Sequence, residues 1–258
     1  MKIQYASDLH LDFPLNHQYV LSGGLKPEGE ILVLAGDIVN LFELSRYDYF
    51  WDWCQESFEQ TIVVPGNHDY YGNWPSLEDM AKPMKKAIRP NVRYCNNAVL
   101  HFCGIDFICS TLWSDIKMEY AIAIVEGLRD FRAIHFPNSE DSVFTRADYL
   151  WLHNQAFDFI QSAVESSKAS KTVVLSHHLP SYSVINDSFR GSPFNSAYAT
   201  ELGDWIADHS INYWIYGHSH SPVETTIGKT RLLSNPLGYI AYGEGEWFVP
   251  NKTFEFAE

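Results

Sequence analysis

The chain has 258 residues, 46% of them hydrophobic, which is enough for one large α/β domain or two small ones around a substantial core. Its formal net charge of −14 argues against broad electrostatic binding to nucleic acid or to an anionic membrane surface, although bound cations can reverse the field locally. No apolar run reaches the about 18 residues of a membrane span, and the opening MKIQYASDLH lacks the apolar stretch of a secretory signal, so a cytoplasmic protein without a membrane partner is expected.

Short apolar runs and helical patterns alternate along the chain. IQYAS (3–7) and ILVLAG (31–36) predict buried strands. LSRYDYFWDWCQESF (44–58) predicts a helix whose Tyr49, Phe50, Trp51 and Trp53 pack into the core. TIVVPG (61–66) predicts a third strand. PSLEDMAKPMKKAI (75–88) has helical character, which Pro83 should bend or break, with Lys82, Lys85 and Lys86 on one face. Residues 92–111 read as hairpins with turns near Asn96–Asn97 and Gly104. The segment 112–144 is helical in pattern over 112–131 and loop-like over 134–143, and long insertions of this kind often lie over a site. Residues 145–167 form the clearest helix, opened by Thr145 and Asp148 in the spacing of a capping box. TVVLSHH (172–178) and NYWIYGH (212–218) predict two more strands, with a helix at 196–210 between them. Residues 223–256 read as successive antiparallel strands turning near Gly228–Lys229 and Pro250–Asn251. The alternation implies an α/β fold. Cys54, Cys95, Cys103 and Cys109 form no C-x-x-C motif and read as reduced, mostly buried thiols.

The strand endings carry the chemistry. The first run ends in Ser7-Asp8-Leu9-His10, the second in Gly36-Asp37, and the third in Gly66-Asn67-His68-Asp69. Later runs end in Ser176-His177-His178 and Gly217-His218-Ser219-His220. Ligands of open α/β sheets bind beyond the carboxyl ends of the strands, so five segments should deliver Asp, His and Asn side chains to one edge. Those residue types ligate divalent transition metals, and there are enough of them for two ions. A carboxylate such as Asp37 can bridge a pair about 3.5–4 Å apart. D-x-H and G-D recur by chance; G-N-H-D and G-H-S-H are more specific, and the ordered set of five is more specific still.

This pattern resembles the calcineurin-like metallophosphoesterase superfamily, through DLH at 8–10, GD at 36–37, GNHD at 66–69, HH at 177–178 and GHSH at 217–220. The resemblance spans the chain and implies one domain over 1–258, with a cap or insertion at about 112–144. It implies a four-layer α-β-β-α sandwich, two mixed sheets flanked by helices, with the metal site at the carboxyl ends of the strands. One ion, Mn, Fe or Zn, would take Asp8, His10, Asp37 and His220; the other would take Asp37, Asn67, His177 and His218. His68 would face the phosphate or its leaving group as the catalytic residue, and Asp69 would hold the turn by hydrogen bonds. In chemical terms, two cations neutralise phosphate oxygens and lower the pKa of a bridging water, and the hydroxide attacks in line while a protonated histidine receives the leaving alkoxide.

Two departures bear on the substrate. The superfamily's protein phosphatases carry GDxVDRG, whereas this chain reads GDIVNLF, with Asn40 for the acid and Leu41 for the arginine. Asn40 is then a candidate to orient His68 or meet substrate. NPLGY (235–239) resembles an Asn-Pro-Arg-Gly-Tyr element, with Leu237 for the arginine. The first makes a phosphoprotein phosphatase a poor fit, the second weakens a grip on phosphate there, and together they favour a small phosphate ester, a diester above a monoester. A nuclease is the rival within enzymes, and a metal-stabilised scaffold the rival outside them. His178 is a candidate for substrate contact or for support of the metal ligands. His17, His101, His135, His153 and His209 read as structural. Tyr70, Trp74 and Trp113 could rim a pocket, with core packing the plainer reading.

Overall fold

The computed structural model describes residues 1–137 and 143–256. Two six-stranded sheets form its centre. The first runs Thr253–Glu255, Lys2–Ala6, Ile31–Ala35, Gln60–Val64, Val92–Asn96, Met84–Arg89. The second runs Thr225–Ile227, Thr230–Ser234, Tyr213–Tyr216, Lys171–Leu175, Ile105–Cys109, Ala98–Phe102. In each, four adjacent strands are parallel and the two edges antiparallel.

Strand periodicity explains the layers, because successive side chains point to opposite faces. Ile31, Val33 and Ala35 join Val173, Leu175 and Ile215 in the core between the sheets. Leu32 and Leu34 face the other way, into a core with Phe50, Trp51 and Cys54 of the helix Asp48–Ser57. Val174, Trp214 and Leu232 do the same against Ile160 and Ala163 of the helix Arg146–Ser166. The expected four-layer α-β-β-α sandwich is therefore present. That second helix opens with a capping box, Thr145 accepting from Asp148 N–H while Asp148 accepts from Thr145 N–H. No helix among the described residues is long and apolar enough to cross a membrane.

Four element readings need correction. The predicted helix 75–88 is a short helix, Leu77–Ala81, followed after Pro83 by the edge strand Met84–Arg89. Lys85 and Lys86 are exposed there, as suits an edge that must not pair further. Asn97 is a corner between the two sheets rather than a hairpin turn; the hairpin at Gly104 is present. The stretch 223–256 holds one hairpin, at Gly228–Lys229, but Thr230–Ser234 lies parallel to Tyr213–Tyr216, and Thr253–Glu255 crosses to the first sheet. The helix expected over 196–210 is split into Asn195–Tyr198 and Gly203–Asp208. In the segment 112–144 the helices Ala121–Gly127 and Asp130–Ala133 precede a two-residue strand, Ile134–His135, paired with Gly72–Asn73. Residues 138–142 of the expected loop lie outside the described residues.

Cys54, Cys95 and Cys109 are buried, Cys103 is exposed, and all four are free thiols. Tyr70 and Trp113 are buried in contact with each other, so they belong to the core.

Candidate metal centre

Because the strands that carry the motifs are parallel, their carboxyl ends lie along one edge. Asp8 and His10 follow Lys2–Ala6, Asp37 follows Ile31–Ala35, and Asn67 and His68 follow Gln60–Val64. His177 follows Lys171–Leu175 of the second sheet, and His218 and His220 follow Tyr213–Tyr216. The turns are tight. Asp8, His10, Asp37, His218 and His220 all have positive φ, between 44° and 73°, a region that costs a non-glycine residue about 1 kcal/mol or more. Strain of this kind concentrates where side chains must converge. At Gly66 a Cβ would sit 2.1 Å from Asp37 Oδ1, so only glycine lets the third loop come this close to the aspartate.

Three overlapping groups of ligand atoms result: Asp8, His10 and His220; His10, Asp37 and His68; and Asp37, His177 and His218. His10 Nε2 lies 3.2 Å from His220 Nε2 and 3.7 Å from Asp37 Oδ2. His220 Nε2 is 3.3 Å from Asp8 Oδ1. On the other side, His177 Nε2 is 3.4 Å from Asp37 Oδ1 and 3.0 Å from Asn67 Oδ1. The loops are tied together by backbone donors: His218 N–H reaches both Asp8 oxygens at 3.1 Å, and His68 N–H reaches Asp37 Oδ1 at 3.0 Å. Asp69 accepts from Gly66 N–H at 2.7 Å and Asp37 N–H at 3.2 Å, holding the turn.

Burial and mutual charge set the protonation states. Burial pushes the pKa values of His10 and His218 well below the ordinary imidazole range, which leaves neutral donors. Burial opposes the charge on Asp37, but the imidazoles of His177, His68 and His10 hold it well below the usual carboxylate range. Burial also opposes a charge on His177 and His220. Asp37 nevertheless raises His177 to about 9, and Asp8 and Glu244 raise His220 to about 10.

The donor set fits divalent transition metals. Two imidazole nitrogens face each other at hydrogen-bond distance, and the buried His218 Nε2 has no hydrogen-bond partner among the described residues. A cation shared by His10 and His220, and a second beside His218, would satisfy these groups. The ring orientations are fixed from behind, with His177 Nδ1 on Ala35 O at 2.8 Å and His220 Nδ1 on Glu244 Oε2 at 2.6 Å.

A family model described as calcineurin-like phosphoesterase matches residues 1–222. The chain belongs to the calcineurin-like phosphoesterase family. The chain is 28% identical over 260 residues to uncharacterized protein L509 of Acanthamoeba polyphaga mimivirus, covering 92% of this chain and 91% of that protein. It is similar in fold to the crystal structure of phosphopantetheinyl hydrolase from Mycobacterium tuberculosis, with a TM-score of 0.67 and 18% identity, covering 92% and 89% of the two chains. Asp37, Asn67, His68, His218 and His220 line a cavity of about 610 Å3.

Two candidate substrate contacts are engaged by protein groups. Asn40 donates to Tyr71 O at 2.6 Å and accepts from Phe42 N–H at 2.9 Å, joining two loops. His178 is fully buried, with Nε2 2.7 Å from the Tyr149 hydroxyl and Nδ1 3.2 Å from Thr111 O. His68 is flanked instead by Tyr71, ring centroids 4.4 Å apart, and by the Tyr239 hydroxyl, 3.3 Å from Nε2. Leu237 and Leu41 are core residues.

Sequence reasoning missed Asp130. It is buried, and its Oδ1 accepts from Asn67 Nδ2 and from the Tyr71 hydroxyl, both at 2.8 Å. One carboxylate thus orients an expected metal ligand and the ring beside His68. The only sequence signal was the charged pair Arg129-Asp130 inside GLRDF (127–131).

Proposed function

We propose that this chain hydrolyses phosphate esters, phosphodiesters in preference to monoesters, at a centre of two divalent ions such as Mn, Fe or Zn. The observation that carries the reading is Asp37, whose two oxygens face opposite halves of the cluster, Oδ2 toward His10 Nε2 and Oδ1 toward His177 Nε2. Asp8, His10, Asp37 and His220 would hold one ion; Asp37, Asn67, His177 and His218 would hold the other. Bound there, such ions supply neutralisation of phosphate charge and a lowered pKa for water.

The protein's own part is positioning and proton transfer. His68 is half-buried at the cavity edge, with its backbone anchored on Asp37 and its ring braced by Tyr71. It donates a proton to the leaving oxygen, and Tyr239 holds Nε2 in reach. Arg129 is the single Lys or Arg lining the cavity among the described residues, and its guanidinium lies 5.6 Å from the Tyr71 ring centre. One cation suits the single charge of a diester better than the dianion of a monoester.

The test is kcat/KM for bis(p-nitrophenyl) phosphate against p-nitrophenyl phosphate, with the same Mn2+ and pH, each referred to its uncatalysed rate. A diester preference is expected. A monoester preference rejects that part and directs attention to Arg129. Turnover of neither by metal-loaded protein supports the scaffold reading.

A further inference from the structure

We propose that the cavity beyond the ligand cluster is a subsite for an apolar, ring-bearing arm of the substrate; this rests on the diester reading above. The cavity has two chemically distinct sides. One is the ligand edge. The other is walled by Leu128, Phe189, Phe194 and Tyr242, joined to the ligand edge by Phe13 packed on His10 and Tyr198 packed on His218. Phe189 is 50% exposed and Tyr242 76% exposed, so two large apolar side chains stand at the mouth with much of their surface in water. Phe194 closes the wall against the segment that ends at Gly127, where its ring occupies the space of a Cβ, 2.6 Å away.

Three of the polar side chains on that side make hydrogen bonds within their own loop. Asn186 accepts from Ser188 N–H at 3.0 Å, Asn195 donates to Phe189 O at 2.9 Å, and Ser192 accepts from Phe194 N–H at 3.3 Å. A wall of this kind selects by shape and apolarity rather than by reading hydrogen-bond patterns. Arg129 is the single Lys or Arg lining the cavity among the described residues, so this wall offers little to hold a polyanionic arm. The occupant that fits is a neutral aryl or similarly flat apolar group esterified to the phosphate that meets the ligand edge.

Binding and turnover test this separately. Calorimetry on Mn2+-loaded protein should show diphenyl phosphate binding about tenfold or more tightly than dimethyl phosphate, the gain expected from covering one ring. Phe189→Ser and Tyr242→Ser alter two exposed side chains. Each should weaken diphenyl phosphate by about threefold, the double variant by more, with dimethyl phosphate unchanged. Equal affinity for the two diesters, or a preference left unchanged by the double substitution, overturns the subsite. Turnover of phenyl against methyl p-nitrophenyl phosphate should follow the same order after correction for uncatalysed rates. Diester hydrolysis with no phenyl preference overturns the subsite and leaves the diester reading standing. Tight diphenyl phosphate binding with hydrolysis of monoesters alone overturns the diester reading instead.

Discussion

Replacing Asp130 with alanine should loosen two parts of the site at once. Its Oδ1 is the acceptor for both Asn67 Nδ2 and the Tyr71 hydroxyl. Asn67 is buried, and a buried donor without an acceptor costs about 1–3 kcal/mol. Tyr71 is only partly buried, so its hydroxyl can turn toward the cavity at lower cost. A loss of about 2 kcal/mol follows, or about 4–8 °C in Tm for a chain of this size. An unanchored Asn67 amide should also weaken metal binding by about tenfold or more. Asp130→Asn separates geometry from charge, because it keeps the Oδ1 acceptor. Burial raises the Asp130 pKa, against hydrogen bonds from Asn67 and Tyr71 and the nearby His68 that lower it. A raised value in the folded state means the folded chain takes up the proton more readily. That contribution is fully present below the unfolded pKa of about 4 and is lost as pH rises through the folded value. Asparagine suffers no such loss, so at pH 7–8 Asp130→Asn should melt no lower than wild type. Melting of chelator-treated protein and calorimetric metal titration measure both effects. An alanine variant that melts with the wild type and binds metal equally well would refute the reasoning.

Three further outcomes are expected. His177 and His220 have pKa values raised to about 9 and about 10, so in chelated protein their contribution is present below the unfolded value of about 6.5 and lost as pH rises toward 9 and 10. Metal must displace those protons; binding at pH 7–8 should release up to about two per chain and tighten with pH, read by calorimetry in buffers of different ionisation heat, and a pH-independent affinity contradicts it. His68→Ala should lower kcat by about 10²–10⁴-fold with metal content unchanged. Loss of an ion would instead make His68 a ligand, a role its grouping with His10 and Asp37 permits. Adding a cation through Asn40→Arg, at a half-buried position near His68, should shift the ratio of diester to monoester kcat/KM toward the monoester; no shift would remove charge count as the basis of selectivity.

Much of the site was legible because its residues sit at fixed points in a repeating device. Each motif closes a buried parallel strand, so sequence order alone brings Asp8, Asp37, Asn67, His177 and His218 to one edge. What surrounds them was less visible. Asp130 acts from a segment far from every motif, and only tertiary packing brings it to Asn67. Tyr239 lay in NPLGY, read there for the arginine it lacks rather than for the hydroxyl that reaches His68. His178 was a candidate for substrate contact or for support of the metal ligands; its ring lies against Trp113, Tyr149 and, with centroids 4.3 Å apart, the imidazole of His218, which accords with support. The helix expected over 75–88 failed for a related reason. MKKAIR has helix-forming residues, but pairing with Val92–Asn96 supplies backbone partners that local propensity does not outweigh.

The central claim is that Asp37 joins two metal sites. Elemental analysis of reconstituted wild-type protein, paired with phosphoesterase rate as metal is added stepwise, tests it most directly. Two ions per chain are expected, with activity rising as the second is bound, and Asp37→Asn should hold about one ion and lose activity. Full activity at one ion per chain, or an Asp37→Asn variant that retains two, would contradict the account.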